Sequence, residues 1–176
     1  MDEIEIVAAD PAWPSLFQAE AARLRSILPG TLILDIQHYG STAIPALDAK
    51  PIIDILLATP DLQAARGTLP SILEKNEYAF WSDNPKTDRL FFVRGLPPSA
   101  PRRTHHLHVT EPDGELWGQL AFRDRLRAHP EEAHAYAALK RTLAMQHRTD
   151  REAYTQAKGH FIRAVMAKAS KEASGA

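Results

Sequence analysis

Residues 38–57 read His38-Tyr39-Gly40-Ser41-Thr42-Ala43-Ile44-Pro45-Ala46-Leu47-Asp48-Ala49-Lys50-Pro51-Ile52-Ile53-Asp54-Ile55-Leu56-Leu57. A strand ends at Gly40, and Ser41 and Thr42 sit where a short helix can begin. Backbone N–H groups at such a start point outward and favour anions. Glycine allows a phosphate close approach, and two hydroxyls add donors. Gly40, Ser41 and Thr42 are therefore the expected phosphate cradle. Pro51 to Leu57 is a nearly continuous apolar run of strand length, which predicts a central strand buried on both faces. Asp54 interrupts that run. A carboxylate there is expensive to bury unless it is paired or binds a cation. It can pair with Lys50, or hold a divalent cation against a phosphate at the Gly-Ser turn.

Upstream, Asp10-Pro11 predicts a helix start, with Asp10 as N-cap and apolar residues at helical spacing as far as Leu28. Thr31 to Gln37 reads as a strand. Downstream, Asp61 caps a helix running to about Asn76. Glu77–Trp81 and Arg89–Arg94 read as strands around a polar loop, and the proline-rich stretch Gly95–Pro101 is a loop. Thr104–Glu111 reads as a strand. Asp113 can cap a helix from Glu115 to Ala128, and Pro130 restarts helix. Thr149 or Asp150 caps a last helix, with fraying expected over residues 171–176. The result is an α+β chain: one domain over residues 1–170, with a mixed sheet of about five strands, flanking helices and a C-terminal helical block. The βαβ alternation of a doubly wound fold is missing, as are the Rossmann and Walker A glycine patterns and the Gly-x-Ser-x-Gly elbow.

At 176 residues and 24 % charged, the chain has the size and composition of one folded domain. It has no cysteine, which excludes disulfides, thiolate metal sites and a thiol nucleophile. No apolar run approaches the ~20 residues of a membrane span. The acidic start, Met1-Asp2-Glu3-Ile4-Glu5, is unlike a signal peptide, so a cytoplasmic protein is expected. The net charge of −1 conceals an asymmetry, because residues 121–176 carry 11 Lys/Arg against 6 Asp/Glu. The basic C-terminal third could face an anionic ligand, although helices rich in Arg and Lys are usually just solvated, and the modest overall charge argues against a large nucleic-acid footprint. Trp13, Trp81 and Trp117 are read as core or cleft-wall residues rather than stacking platforms.

The stretch from His38 to Asp54 resembles the signature of the GrpB family, roughly His-x-Gly-Ser-Thr-Ala-Val-Pro-Gly-Leu-x-x-Lys-Pro-Ile-Ile-Asp. Further matches are Asp10-Pro11-x-Trp13, His105-His106-Leu107-His108-Val109, Phe122-Arg123-Asp124-x-Leu126-Arg127, Tyr136-x-x-Leu139-Lys140 and Tyr154-x-x-x-Lys158-x-x-Phe161. The resemblance implies a nucleotidyltransferase-like fold. The family also occurs fused to dephospho-CoA kinases, and its own reaction is poorly defined. It implies phosphate-binding roles for Lys50, Arg123, Lys140, Tyr154 and Lys158 as well as the turn, and a catalytic, metal-binding Asp54. In the wider superfamily the acid after Gly-Ser has a paired carboxylate on the same strand face. Here the same-face neighbours of Asp54 are Ile52 and Leu56. His106 and His108 share one strand face and could complete a metal site with Asp54, or could instead hydrogen-bond a phosphate. Ala46 departs from the family's glycine.

Two readings follow. In one, a nucleotide or other phosphorylated small molecule binds between the sheet and the C-terminal helices. A divalent cation, Mg²⁺ or Mn²⁺ ahead of Zn²⁺, then supports nucleotidyl transfer. In the other, the domain has lost the second carboxylate and binds a nucleotide or CoA-related ligand without catalysis.

Overall fold

The computed structural model describes residues 4–98, 100–112 and 114–174. Five strands form one mixed sheet: β1 (Asp35–Tyr39), β2 (Ile53–Ala58), β3 (Tyr78–Phe80), β4 (Leu90–Arg94) and β5 (His105–Thr110), in the order β1-β2-β5-β4-β3. β2 and β5 run parallel, and every other neighbouring pair is antiparallel. β2 is an interior strand between β1 and β5, as its apolar run requires, and β5 holds the centre of the sheet.

The side-chain period of two divides the sheet. Ile53, Ile55 and Leu57 of β2, Leu107 and Val109 of β5 and Leu90 and Phe92 of β4 join one core. Helices α1 (Trp13–Ile27) and α2 (Leu62–Glu74) close it with Phe17, Ala21, Leu24, Ala65, Leu69 and Leu73. The alternate residues, including Asp54, His106, His108 and Phe91, face the other way, towards the C-terminal helices. These are α3 (Glu115–Gly118), α4 (Leu120–Ala128), α5 (Pro130–Gln146), α6 (Arg151–Ala157) and α7 (Gly159–Ser174). A second core of Ile44, Leu47, Leu126, Tyr136, Ala137 and Val165 joins them to the loop after the Gly-Ser turn.

Several boundaries differ from the sequence reading. Residues Gly30–Leu32 form a 3₁₀ turn, and β1 begins only at Asp35 and continues through His38 and Tyr39. The Pro29 carbonyl accepts from Leu32 N–H, which spends the first part of the expected strand on a turn. Helix α1 starts at Trp13, and Asp10 caps the preceding turn by accepting from the Ala12 N–H. Asp61 and Asp150 are N-caps as expected, each accepting two backbone N–H bonds. The helix expected over Glu115–Ala128 is broken at Gln119, and the last helix is broken at Lys158, where Gly159 begins α7. Helix α7 continues through Lys171 to Ser174, past the point where fraying is expected. The expected cap Asp113 lies outside the described residues.

Two turn positions have demanding backbones. Gly40 has φ +73° and ψ −169°, a region open almost only to glycine. A Cβ built there would lie 2.4 Å from Asp54 Oδ2 and 2.9 Å from Asp54 Cβ. Ala46, where the family motif carries glycine, has φ +58°, which costs an L-residue about 1–2 kcal/mol. Substitutions in this loop therefore have opposite signs. Gly40→Ala is expected to lower unfolding free energy by about 2–3 kcal/mol. Ala46→Gly is expected to raise it by about 0.5–1 kcal/mol, relief of strain exceeding the added chain entropy. Urea unfolding of the two variants checks both signs.

Candidate functional site

A cavity of about 480 Å³ lies between the sheet and the C-terminal helices. Gly40, Ser41, Thr42, Lys50, Asp54, His106, His108, Arg123, Lys140, Tyr154 and Lys158 all line it, so the fold brings every residue predicted for the site to one place.

The sheet supplies the floor. The parallel register sets Asp54 beside His106, and His106 Nδ1–H donates to Asp54 Oδ1 at 2.9 Å. The remaining ring nitrogen of His106 and Nδ1 of His108 are buried without a hydrogen-bond partner. Burial pushes the His108 imidazole down to about 4, so it is neutral near pH 7. Burial would raise the Asp54 carboxyl. The His106 hydrogen bond and the charges of His106, His108 and Lys50 outweigh that effect, and the net shift is downward.

The helices supply positive charge. Lys158 Nζ lies 4.3 Å from the Tyr154 ring centroid, and Lys50 Nζ lies 5.3 Å from it. Lys140 Nζ lies 4.9 Å from the Tyr136 ring and donates to the Asp48 carbonyl at 2.5 Å. Lys140 and Tyr154 are almost fully enclosed, at 2 % and 1 % exposure. Burial, followed by repulsion from Lys158, lowers the Lys140 ammonium to about 7. Burial, followed by repulsion from Lys50, lowers Lys158 to about 8. Lys50 shifts downward for the same first cause. Cation–π contact holds these ammonium groups in place of carboxylates. Among the described residues the lining carries six Lys or Arg side chains and one carboxylate, Asp54.

Two predicted phosphate contacts have other work. The buried Thr42 hydroxyl donates to the Ile52 carbonyl at 3.2 Å, and His38 Nε2 lies 3.1 Å from the same oxygen. Burial lowers His38 to about 4, so the neutral ring donates through Nε2–H and fixes the turn, stacked on Phe17 at 4.7 Å. Arg123 donates through one guanidinium nitrogen to Gln37 Oε1 and the His38 carbonyl and through Nε to Asp124, which braces the end of β1. Asp124 pairs with Arg123, and Glu131 with His129. Arg94 sits on the opposite sheet face with Glu20 and Glu77. Arg89 does line the cleft, paired with Asp88.

Asp54, His106 and His108 share the floor of the cleft, with His106 donating to Asp54. Among the described residues no group of three or more His, Cys, Asp or Glu side chains is placed to hold a metal ion. One carboxylate, already paired with His106, is fewer than two neighbouring divalent cations need.

Of the aromatic wall, the sequence reading includes Trp81 as a core or cleft-wall residue but does not single out Phe91. Trp81 lines the cavity at 50 % exposure, and its ring meets Phe91 at 5.7 Å and 68°. Phe91 in turn packs on His106 and His108. The signal was the period-two placement of Phe91 on the face opposite Leu90 and Phe92. Beyond Lys50 and Ile52, which border both spaces, lies a second groove of about 870 Å³ whose rim includes Arg102, Arg141, Arg148 and Arg151.

This chain belongs to the GrpB family: the family model described as "GrpB protein" matches residues 3–168. It is 49 % identical over 170 residues to a UPF0157 protein of Pseudomonas aeruginosa, covering 96 % of this chain and 68 % of that one. It is 34 % identical to the glutamate-rich protein GrpB of Alkalihalophilus pseudofirmus, covering 91 % of this chain and 92 % of the relative. A dephospho-CoA kinase of Mycolicibacterium paratuberculosis is 28 % identical over 91 % of this chain, which spans 44 % of that protein. The crystal structure of the conserved protein GrpB from Enterococcus faecalis superposes with a TM-score of 0.84 at 32 % identity, covering 96 % of this chain and 98 % of that one.

A half-buried lysine without a carboxylate partner costs the free protein stability. Lys158→Met keeps the stem's packing and removes the charge. It is expected to raise the unfolding free energy of the ligand-free protein by about 0.5–2 kcal/mol, as thermal unfolding at pH 7 can check.

Proposed function

We propose that the protein binds a nucleotide or other phosphorylated small molecule in this cleft, as a binding module without metal-dependent nucleotidyl transfer. The observation that carries the reading is the lysine trio. Lys50, Lys140 and Lys158 converge on one cavity, two of them over one tyrosine ring, with no carboxylate among the described residues within salt-bridge distance. Three ammonium groups held against mutual repulsion form a receptor prepared for several anionic oxygens. Ser41 lines the same space from the turn. A small-molecule cavity of 300–1,000 Å³ is the usual range, which suits a nucleotide-sized occupant.

The divalent cation expected from the sequence is not part of this reading, which rests on the lysines; Asp54 is the one carboxylate of the described lining and already accepts from His106. Kinship with part of a dephospho-CoA kinase supports including CoA and dephospho-CoA among the ligands to test. No helix among the described residues is long and apolar enough to cross a membrane. A phosphorylated metabolite as ligand accords with a cytoplasmic location.

Thermal unfolding with ATP, CoA or dephospho-CoA, each with Mg²⁺ or with EDTA, tests the proposal. A ligand at 100 times its dissociation constant adds about 2.7 kcal/mol. The expected result is an equal shift with either additive, retained in Asp54→Asn and lost in Lys158→Met. A shift that needs Mg²⁺ and disappears in Asp54→Asn would instead establish the metal-dependent nucleotidyltransferase.

The lysine titrations give the pH dependence its sign. The ammonium form binds the anion, and Lys140 and Lys158 lose their protons near 7 and 8. Affinity is expected to be highest below pH 7 and to fall between pH 7 and 9, with proton uptake on binding at pH 8. Calorimetric titration in two buffers of different ionisation enthalpy measures both.

A further inference from the structure

We propose that Trp81 is the stacking surface for a flat aromatic ring, so that the ligand is a nucleoside phosphate rather than a sugar phosphate or a bare polyphosphate. This rests on the anion-binding reading above and adds a substrate class to it.

Trp81 follows β3, and its backbone N–H donates to the Phe91 carbonyl at 2.9 Å, so its Cα is fixed on the sheet edge. Its ring meets Phe91 nearly at right angles, and half of the residue remains exposed. Trp13, by contrast, is 4 % exposed in the core. The uncovered indole borders the same cavity as Lys140 and Lys158. It continues an aromatic row through Phe91 and His108 to Tyr39.

The cleft therefore joins two chemistries. One wall offers fixed cations, and the other ends in a half-exposed indole. A ligand that satisfies both carries anionic oxygens at one end and a planar π-system at the other. Sugar phosphates and polyphosphates satisfy only the first. Asn84 and Lys86 border the cavity near the indole, and the Asn84 side-chain carbonyl already accepts the Lys86 N–H. Its amide NH₂ is thus positioned as the remaining donor for a ring-edge acceptor.

Calorimetric titration in EDTA at pH 6.5 tests this on wild type, Trp81→Ala and Trp81→Phe. The probes are ATP, inorganic tripolyphosphate and ribose 5-phosphate. Wild type is expected to bind ATP more tightly than tripolyphosphate. Trp81→Ala should weaken ATP roughly 5- to 100-fold, the range for base–aromatic stacking, with tripolyphosphate unchanged. Trp81→Phe should recover part of the loss. ATP should also quench wild-type tryptophan emission much more than that of Trp81→Phe. Equal ATP binding by wild type and Trp81→Ala, with tripolyphosphate still bound, would overturn the stacking role and leave the anion site standing. Failure of wild type to bind either ATP or tripolyphosphate would overturn the anion reading and this proposal together.

Discussion

The parallel pairing of β2 with β5 is the constraint on which the cleft depends. It sets Asp54 against His106 and Leu56 against His108, and puts both histidines on the face that Asp54 occupies. Parallel neighbours need a long crossover, and α2, β3 and β4 supply it between them. The same register sends Ile53, Ile55, Leu107 and Val109 into the core beneath α1 and α2. A slip of one residue would exchange the two faces, burying the carboxylate among leucines. The cleft floor and the hydrophobic core are thus consequences of one pairing.

Charge is treated differently on the two faces of the sheet. On the core side, Glu20 is 4 % exposed and accepts from Arg23, Arg94 and the Tyr78 hydroxyl. Among the C-terminal helices, Glu132 accepts from both Arg125 and Lys168. In those places burial of charge comes with a matched partner, as stability requires. In the cleft Lys50, Lys140 and Lys158 have ring faces and one carbonyl instead. Among the described residues Glu20 and Glu132 have oppositely charged partners and the three cleft lysines do not, which fits the anion site proposed above.

The strand-turn-strand stretch from His38 to Asp54 made much of this legible. The apolar run around Asp54 placed β2 in the sheet interior, and the period of two put His106 and His108 on one face. What sequence could not supply was partnership. Thr42 and Arg123 are residue types suited to phosphate, yet the fold spends them on Ile52, Gln37 and His38. Nothing local in the sequence shows that the Arg123 guanidinium also braces β1, because Gln37 and the His38 carbonyl lie more than 80 residues away from it. Trp81 was legible as a cleft-wall residue, but its half-exposure depends on how one hairpin meets the helical block. The Ala46 departure became interpretable only with its positive φ, a backbone property that an alanine does not announce.

The lysines also bear on what the cleft can do with a ligand. A divalent ion bridging carboxylates and phosphate can activate a hydroxyl and stabilise a leaving group in line with it. An ammonium neutralises phosphate oxygens as a point charge but does neither of those things. With Ile52 and Leu56 flanking Asp54 along the strand, the sheet offers one carboxylate where a metal pair needs several, and the helices offer protonated lysines instead. Fixed cations then take over the neutralising half of a metal's work and leave the activating half undone. The same substitution makes occupancy sensitive to pH near neutrality, since Lys140 and Lys158 titrate near 7 and 8 while a bound divalent ion would keep its charge. On the binding reading proposed above, such a cleft would hold its anionic ligand by charge and release it as the lysines lose their protons.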